Sequence, residues 1–365
     1  MKKVLTTILA LGLMATLAGC GNSGTKAADP NSSTASKQLI GVAMPTQSLQ
    51  RWNQDGSNMK SALESKGYKV ELQYANNDVN TQTQQVENMI TKGCKVLVVA
   101  AIDGSAMTDV LKKAADNNVK VVAYDRLIMK TPNVDYYATF DNFKVGVIQG
   151  QYIEKQLGLK DGKGPFNIEL FGGSPDDNNA TFFFNGAMSI LQPYIDNGKL
   201  VVASGQKEFT KIAIQGWDSA KAQARMDNLI TANYAKDKKL DVVLSPNDSL
   251  AIGIVASLKN AGYGTSDKPY PVLTGQDCDK PNVIAMINKQ QSMSIFKDTR
   301  TLASKVVEMV DSLVQGKEAS VNDTKTYNNG SKVVPSFLCD PVYADASNYK
   351  SILIDSGYYK ESDLK

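Results

Sequence analysis

Histidine is absent from this 365-residue sequence. That absence excludes imidazole acid–base catalysis, triads built on His and the commonest zinc sites. Cysteine is scarce: Cys20 lies at the end of an apolar leader, and only Cys94, Cys278 and Cys339 follow it. An odd set cannot complete a disulfide framework, and no short Cys–Cys spacing supports thioredoxin-like chemistry. Cys94, within Lys92-Gly93-Cys94-Lys95-Val96, reads as a small buried thiol. The formal net charge is only +3, two of the lysines (Lys2 and Lys3) belong to the leader, and no basic block is interleaved with aromatics. Nucleic acid is therefore not an expected partner. Beyond the leader no apolar run is long enough to span a bilayer. Tryptophan occurs twice, at Trp52 and Trp217.

What is present describes a large, well-buried globular chain: 42% apolar and 21% charged residues, with length for two domains. At the N-terminus, Lys2-Lys3 precede the apolar stretch Val4 to Leu17, the layout of a processing signal. Leu17-Ala18-Gly19-Cys20 resembles the bacterial lipobox, which implies that residues 1–19 are removed and Cys20 carries lipid. The alternative is an ordinary secretory leader with an incidental Cys. Residues 20–37 are rich in Ser, Asn, Thr, Gly and Ala, the composition of a flexible tether. The expected location is the cell envelope, anchored on the extracytoplasmic side.

From Leu39 onward, apolar runs alternate with amphipathic segments, the signature of βαβ units. The pattern predicts strands over 39–44, 69–75, 95–102, 120–124, 136–140, 166–171, 200–204, 240–245, 271–274 and 293–296. Helices are expected over 52–65, 80–92, 106–117, 143–157, 180–195, 219–234, 249–261 and 301–315. This periodicity predicts an α/β fold of two doubly wound parallel-sheet lobes. A closed eight-stranded barrel uses the same alternation and is the competing reading.

Several of these apolar runs end in polar clusters: Tyr124-Asp125-Arg126, Asp141-Asn142, Gly172-Gly173-Ser174-Pro175-Asp176-Asp177-Asn178-Asn179, Ser245-Pro246-Asn247-Asp248 and Gly275-Gln276-Asp277. Ligands of open α/β sheets bind outside the carboxyl ends of the strands. Carboxylates, amides and guanidinium groups gathered there suit a neutral polyhydroxylated guest, whose hydroxyls pair with the polar groups and whose C–H faces suit aromatic plates. Each candidate has a plainer alternative. An Asp-Arg pair such as Asp125-Arg126 is often a cap or ion pair. Asp177 and Asn179 precede a helix, where N-caps are ordinary, with Asn178 the residue expected to take a backbone role. An unplaced Trp commonly fills a core, although Trp52 follows the polar Gln47-Ser48-Leu49-Gln50-Arg51 just past a strand.

The stretches Val134 to Val147, Gly164 to Tyr194, Ser204-Gly205-Gln206-Lys207, Phe296-Lys297-Asp298-Thr299-Arg300 and Val321-Asn322-Asp323-Thr324-Lys325-Thr326-Tyr327 carry a further signal. Through them the chain resembles the periplasmic monosaccharide-binding proteins of type I bilobal fold, xylose-binding proteins of ABC importers among them. The resemblance runs from Leu39 to Lys365. It implies a three-crossing hinge near Phe140-Asp141, Phe296-Lys297 and Tyr327-Asn328. The lobes would then be 38–140 plus 297–327, and 141–296 plus 328–365. It further implies a sugar site of Arg51, Trp52, Asp125, Arg126, Asp177, Asn179, Trp217, Asn247, Asp277 and Lys297, with the two indoles stacking on the ring. Lys297 has an alternative role as a hinge ion pair with Asp298. Asn247 is similar to the xylose-binding branch. No cofactor or metal is implied. The expected partners are a monosaccharide such as xylose, glucose, galactose or arabinose, an ABC permease, and alternatively a membrane sensor kinase. A glycosidase is the enzymatic rival, but Asp176 and Asp177 are adjacent, whereas such enzymes set two acids across the scissile bond. A repressor core lacks its DNA-binding helices here.

Overall fold

The computed structural model describes residues 38–234 and 238–364. The signal sequence, Cys20 and the tether lie outside the described residues. Strands β1 (Leu39–Met44), β2 (Lys69–Tyr74), β3 (Val96–Val99), β4 (Lys120–Tyr124) and β5 (Tyr136–Phe140) alternate with helices α1 (Gln50–Ser65), α2 (Val79–Thr91) and α3 (Thr108–Asp116). Helix α4 (Asn142–Leu157) leads to β6 (Phe166–Leu170), α5 (Asn178–Asp196), β7 (Leu200–Val201), the short α6 (Phe209–Ile212), α7 (Ser219–Asn233) and β8 (Val242–Leu244). Then come α8 (Asp248–Asn260), β9 (Val272–Leu273), α9 (Lys280–Ile287), β10 (Met293–Phe296), α10 (Thr299–Val314), β11 (Ser336–Cys339) and β12 (Val342–Asp345).

Two separate parallel sheets result, which settles the choice between lobes and a closed barrel. The first has the order β11-β5-β4-β3-β1-β2 and the second β7-β6-β8-β9, with β10 and β12 forming an antiparallel pair. Every residue of β3 is buried, as a central parallel strand with both faces covered requires. Its side chains alternate between two cores. Val96 and Val98 pack with Met59 and Leu63 of α1 and with Leu302 and Val306 of α10. Leu97 and Val99 pack with Val86 and Met89 of α2 and with Val110 and Leu111 of α3. In the second lobe Val243 faces α7 and α8, through Met226, Leu229, Leu250 and Ile254. Val242 and Leu244 face Leu191 of α5 and Ile153 of α4. Helices α4 and α5 approach unusually closely. A Cβ at Gly146 would stand 2.0 Å from the Phe183 carbonyl oxygen, and one at Gly186 would stand 2.1 Å from that of Phe143.

The chain leaves the first sheet after β5, near Asp141, and returns after β10, where α10 joins the first core. The last crossing departs from expectation. Tyr327 stays with the first lobe, its ring edge-on to Tyr137 at 5.0 Å. Strand β11 then extends the first sheet by pairing in parallel with β5. Only β12 returns to β10, so the crossing falls between Cys339 and Val342 rather than at Tyr327-Asn328. The physical reason is that Pro335 breaks the apolar pattern ahead of a four-residue edge strand, so the run Val333-Val334 does not announce it.

Candidate functional site

The carboxyl ends of both sheets face one cavity, with about 410 Å³ of empty space counting its open mouth. All ten residues named from the sequence line it. From the first lobe, Arg51 and Trp52 sit in the first turn of α1 after β1, while Asp125 and Arg126 follow β4 directly. The second lobe contributes Asp177 and Asn179 after β6, Trp217 before α7, Asn247 after β8 and Asp277 after β9, and Lys297 follows β10. Three of these positions hold left-handed backbone: Asp125 (φ 58), Trp217 (φ 54) and Asp277 (φ 100). Non-glycine residues in that region are strained, and such strain persists where surrounding structure over-determines it.

Electrostatics organise the floor. Arg51 donates from Nε and Nη2 to Asp55 Oδ2 at 3.0 and 2.8 Å and from Nη1 to Asp277 Oδ1 at 3.2 Å. Its Nη2 also lies 3.0 Å from Asp125 Oδ2. Burial opposes the guanidinium charge, but Asp125, Asp55 and Asp277 outweigh it and hold Arg51 well above its usual range. Burial likewise pushes Asp125 up, yet Arg51, Lys297 and Arg126 prevail and leave its carboxyl below the ordinary carboxylate range. Asp177 goes the other way: burial raises it, and Arg126 only partly compensates. Lys297 Nζ stands 3.1 Å from Asp277 Oδ1 and 3.8 Å from Asp125 Oδ2. Its partners are thus the cavity carboxylates. Asp298 instead caps α10 and pairs with Arg300 at 2.7 Å, so the alternative Lys297–Asp298 hinge pair is not formed.

The two lobes meet across this floor through Arg51–Asp277 and through Arg126 Nε, 3.0 Å from Asp177 Oδ2. That second pair is close but poorly aligned: Arg126 Nε–H has no hydrogen-bond partner. Arg126 Nη1 donates to the carbonyls of Ala101 and Ile102 at 3.2 and 3.4 Å, which leaves Nη2 for a guest. Asn179 is more committed to the protein than the sequence suggests. Its Nδ2 donates to the Asp125 carbonyl at 2.6 Å, and its Oδ1 accepts from Tyr137 Oη and Asn142 Nδ2 at 3.0 Å each. One amide proton remains.

Trp52 and Trp217 combine both readings, being 2% and 6% exposed and packed into the cores of opposite lobes while lining the cavity. Neither indole N–H has a partner. Trp217 lies against Gly173, where a Cβ would meet its Cη2 at 2.0 Å. The backbone role expected of Asn178 falls instead to Asp177, whose Oδ1 accepts from Asn179 N–H at 3.0 Å because Asn178 is already the first helical residue. Asn247 caps α8 in the same way, accepting from Leu250 N–H at 3.0 Å.

The sequence reading missed Leu49, Phe183, Ser249, Gln276 and Asp279 of the lining. Gln276 was in view within Gly275-Gln276-Asp277. Phe183 sits a full turn inside α5, where helical periodicity reads as core. Among the described residues no group of acidic or thiol side chains has metal-binding geometry, and no helix is long and apolar enough to cross a membrane.

Comparison with known proteins places these features in context. A family model described as a periplasmic binding protein domain matches residues 40–318. The multiple sugar-binding periplasmic protein SbpA of Azospirillum brasilense is 59% identical, covering 90% of this chain and 92% of that protein. The multiple sugar-binding periplasmic receptor ChvE of Rhizobium radiobacter is 58% identical, with 91% and 93% covered. Among solved structures, an ABC transporter solute-binding protein from Clostridium phytofermentans with bound β-D-glucose superposes with a TM-score of 0.87. It is 57% identical, with 90% of this chain and 100% of that chain covered.

Proposed function

Because the chain belongs to the periplasmic binding protein family, we propose that it captures a monosaccharide between its lobes and delivers it to an ABC importer. The observation that carries this reading is the cavity at the joined carboxyl ends of two parallel sheets, walled by two indoles and ringed by Arg51, Arg126, Lys297, Asp125, Asp177 and Asp277. The lobes would work as jaws. One half-site holds Arg51, Trp52, Asp125 and Arg126; the other holds Asp177, Asn179, Trp217, Asn247 and Asp277. A ring touching both halves stabilises the closed form by contacts that the open form lacks. Lobe closure would change the outer rims, giving a permease a surface to read.

Micromolar capture corresponds to about −8 kcal/mol, within reach of several charge-assisted hydrogen bonds and two stacked faces after ordering costs. An epimer that leaves one buried group unpaired loses roughly 1–3 kcal/mol, which is how such a site tells hydroxyl configurations apart. The guest class is an aldopyranose such as glucose, galactose, xylose or arabinose. Binding without turnover is part of the proposal, as are an N-terminal lipid on Cys20 and residence outside the cytoplasmic membrane. Titration calorimetry against a panel of aldoses tests it: saturable heat with at least one aldopyranose is expected. Absence of heat with every monosaccharide, or release of sugar from aryl glycosides, would defeat it.

A further inference from the structure

Among the described residues six helices begin on an Asp or Asn whose side-chain oxygen accepts a backbone N–H of the first turn: Asp78, Asp141, Asp177, Asp218, Asn247 and Asp298. Asp279 occupies the same position before α9, yet its side chain makes no capping bond. The N–H groups that a capping side chain takes are not on offer: the second helical residue is Pro281, which has none, and the Asn282 N–H donates to the Asp279 carbonyl at 2.9 Å. The Asp279 N–H itself donates to Asp248 Oδ2 at 2.9 Å, and that of Lys280 donates across the cleft to Gln50 Oε1 at 3.2 Å. The freed carboxyl lines the cavity beside Asp277. Asp279 is only 8% exposed, and its Oδ1 has no hydrogen-bond partner.

The surroundings of this carboxyl decide its chemistry. Asp277 precedes it on the same loop, and Asp248, on α8, is held by Ser294, Gln291 and the Asp279 N–H. Arg51 on α1 and Lys297 after β10 lower it from a distance, but both are engaged by Asp277. The phenol of Tyr359, from the C-terminal segment, also faces it. Among the described residues no cation lies within ion-pair distance of Asp279. Burial, and then the Asp277 charge, push its carboxyl up to about 7. Below about pH 7 such an acid holds its proton. In that form it has an O–H to give away.

The geometry points to Asp279 as a further specificity-determining residue of the cleft, a protonated carboxyl that donates a hydrogen bond to one oxygen of the bound ring. This rests on the sugar reading above and adds a residue to it. The other carboxylates of the cavity, Asp125, Asp177 and Asp277, each have a cation within ion-pair distance. Asp279 is the acid that reads an acceptor on the guest.

The test is calorimetry with D-glucose and its monodeoxy analogues on the wild-type protein, Asp279→Asn and Asp279→Ala, with thermal melts to show folding. One deoxy position should cost the wild type about 5- to 150-fold, the range for one unpaired buried group. Asp279→Ala should lose a comparable factor toward glucose and show no further loss at that position. Asp279→Asn, whose amide still donates, should stay within about threefold of wild type. Glucose affinity of the wild type should fall between about pH 5.5 and about pH 8.5 as the proton leaves, while Asp279→Asn stays flat. Identical deoxy penalties in wild type and Asp279→Ala, or an Asn variant as weak as the Ala variant, overturn this assignment alone. No heat from the wild type with any aldose overturns the sugar reading itself.

Discussion

Replacing Gly173 with Ala places one methyl group where the indole of Trp217 now rests. The added Cβ would stand 2.0 Å from Cη2 and 2.5 Å from both Cζ2 and Cζ3, against the 3.5–4.0 Å of ordinary carbon contacts. The ring must therefore withdraw by about 1.5 Å, as the difference from that contact distance requires. Its backbone has little room to follow. Trp217 N–H donates to the Ile214 carbonyl at 3.2 Å, its own carbonyl accepts from Ser249 Oγ at 2.9 Å, and its φ of 54 is already strained. The indole has to tilt out of its place in the cavity wall. Overpacking of this kind costs about 1–3 kcal/mol. If the bound state bears that cost, sugar affinity falls about 5- to 150-fold, accompanied by a change in tryptophan emission. Calorimetry and fluorescence titration read both. The decisive control is a double-mutant cycle: once Trp217→Leu has removed the ring, Gly173→Ala should cost little further. Equal losses in the two backgrounds, or wild-type affinity in Gly173→Ala alone, would refute the claim that Gly173 sets the position of the Trp217 plate.

Two further outcomes follow from the charges. Asp125→Ala removes the carboxylate shared by Arg51 and Lys297, and breaking such a buried pairing costs about 3–5 kcal/mol; sugar affinity should drop more than about 100-fold, and unchanged calorimetry on a folded variant would take Asp125 out of the site. The unliganded protein should lose stability as pH rises from about 4 to about 7, because the Asp279 carboxyl, raised to about 7 in the folded state, holds a proton that the unfolded chain has already released. Urea midpoints across that window should be flatter in Asp279→Asn, and an identical slope in both proteins would contradict the assignment. Asp125 has the opposite sign: its depressed folded value gives stability that persists above about pH 4 and is lost on further acidification.

The architecture was legible because buried parallel strands such as Val96–Val99 announce themselves as unbroken apolar runs. The polar clusters that end those runs mark the cleft for the same reason. The pattern failed where a strand is not covered on both faces. The expected strand over 200–204 is only Leu200–Val201, and Ser336–Cys339 and Val342–Asp345 are only partly buried and carry no unbroken apolar run. Helix α9 was also missed, and with it the uncapped Asp279, whose cap is denied by Pro281 at the second position of that helix.

What a linear reading could not supply is the polarity of the cavity. Capping and ligand contact stood as alternatives for Asp177 and Asn247, yet each side chain caps a helix with one atom and lines the cavity as well. Asn247 spends Oδ1 on the Leu250 N–H, so its amide nitrogen is what the cavity meets, and that edge donates. Asp177 spends Oδ1 on the Asn179 N–H and turns Oδ2 toward Arg126, so that edge accepts. The helix N-terminus thus fixes which end of each side chain a guest encounters. Asp279 shows the converse, since a carboxyl excused from capping keeps both oxygens for the cleft. The pattern of donors and acceptors around a bound ring is therefore written by which helix caps are made and which are left open, and specificity in this chain should track substitutions at cap positions as closely as those at the indoles.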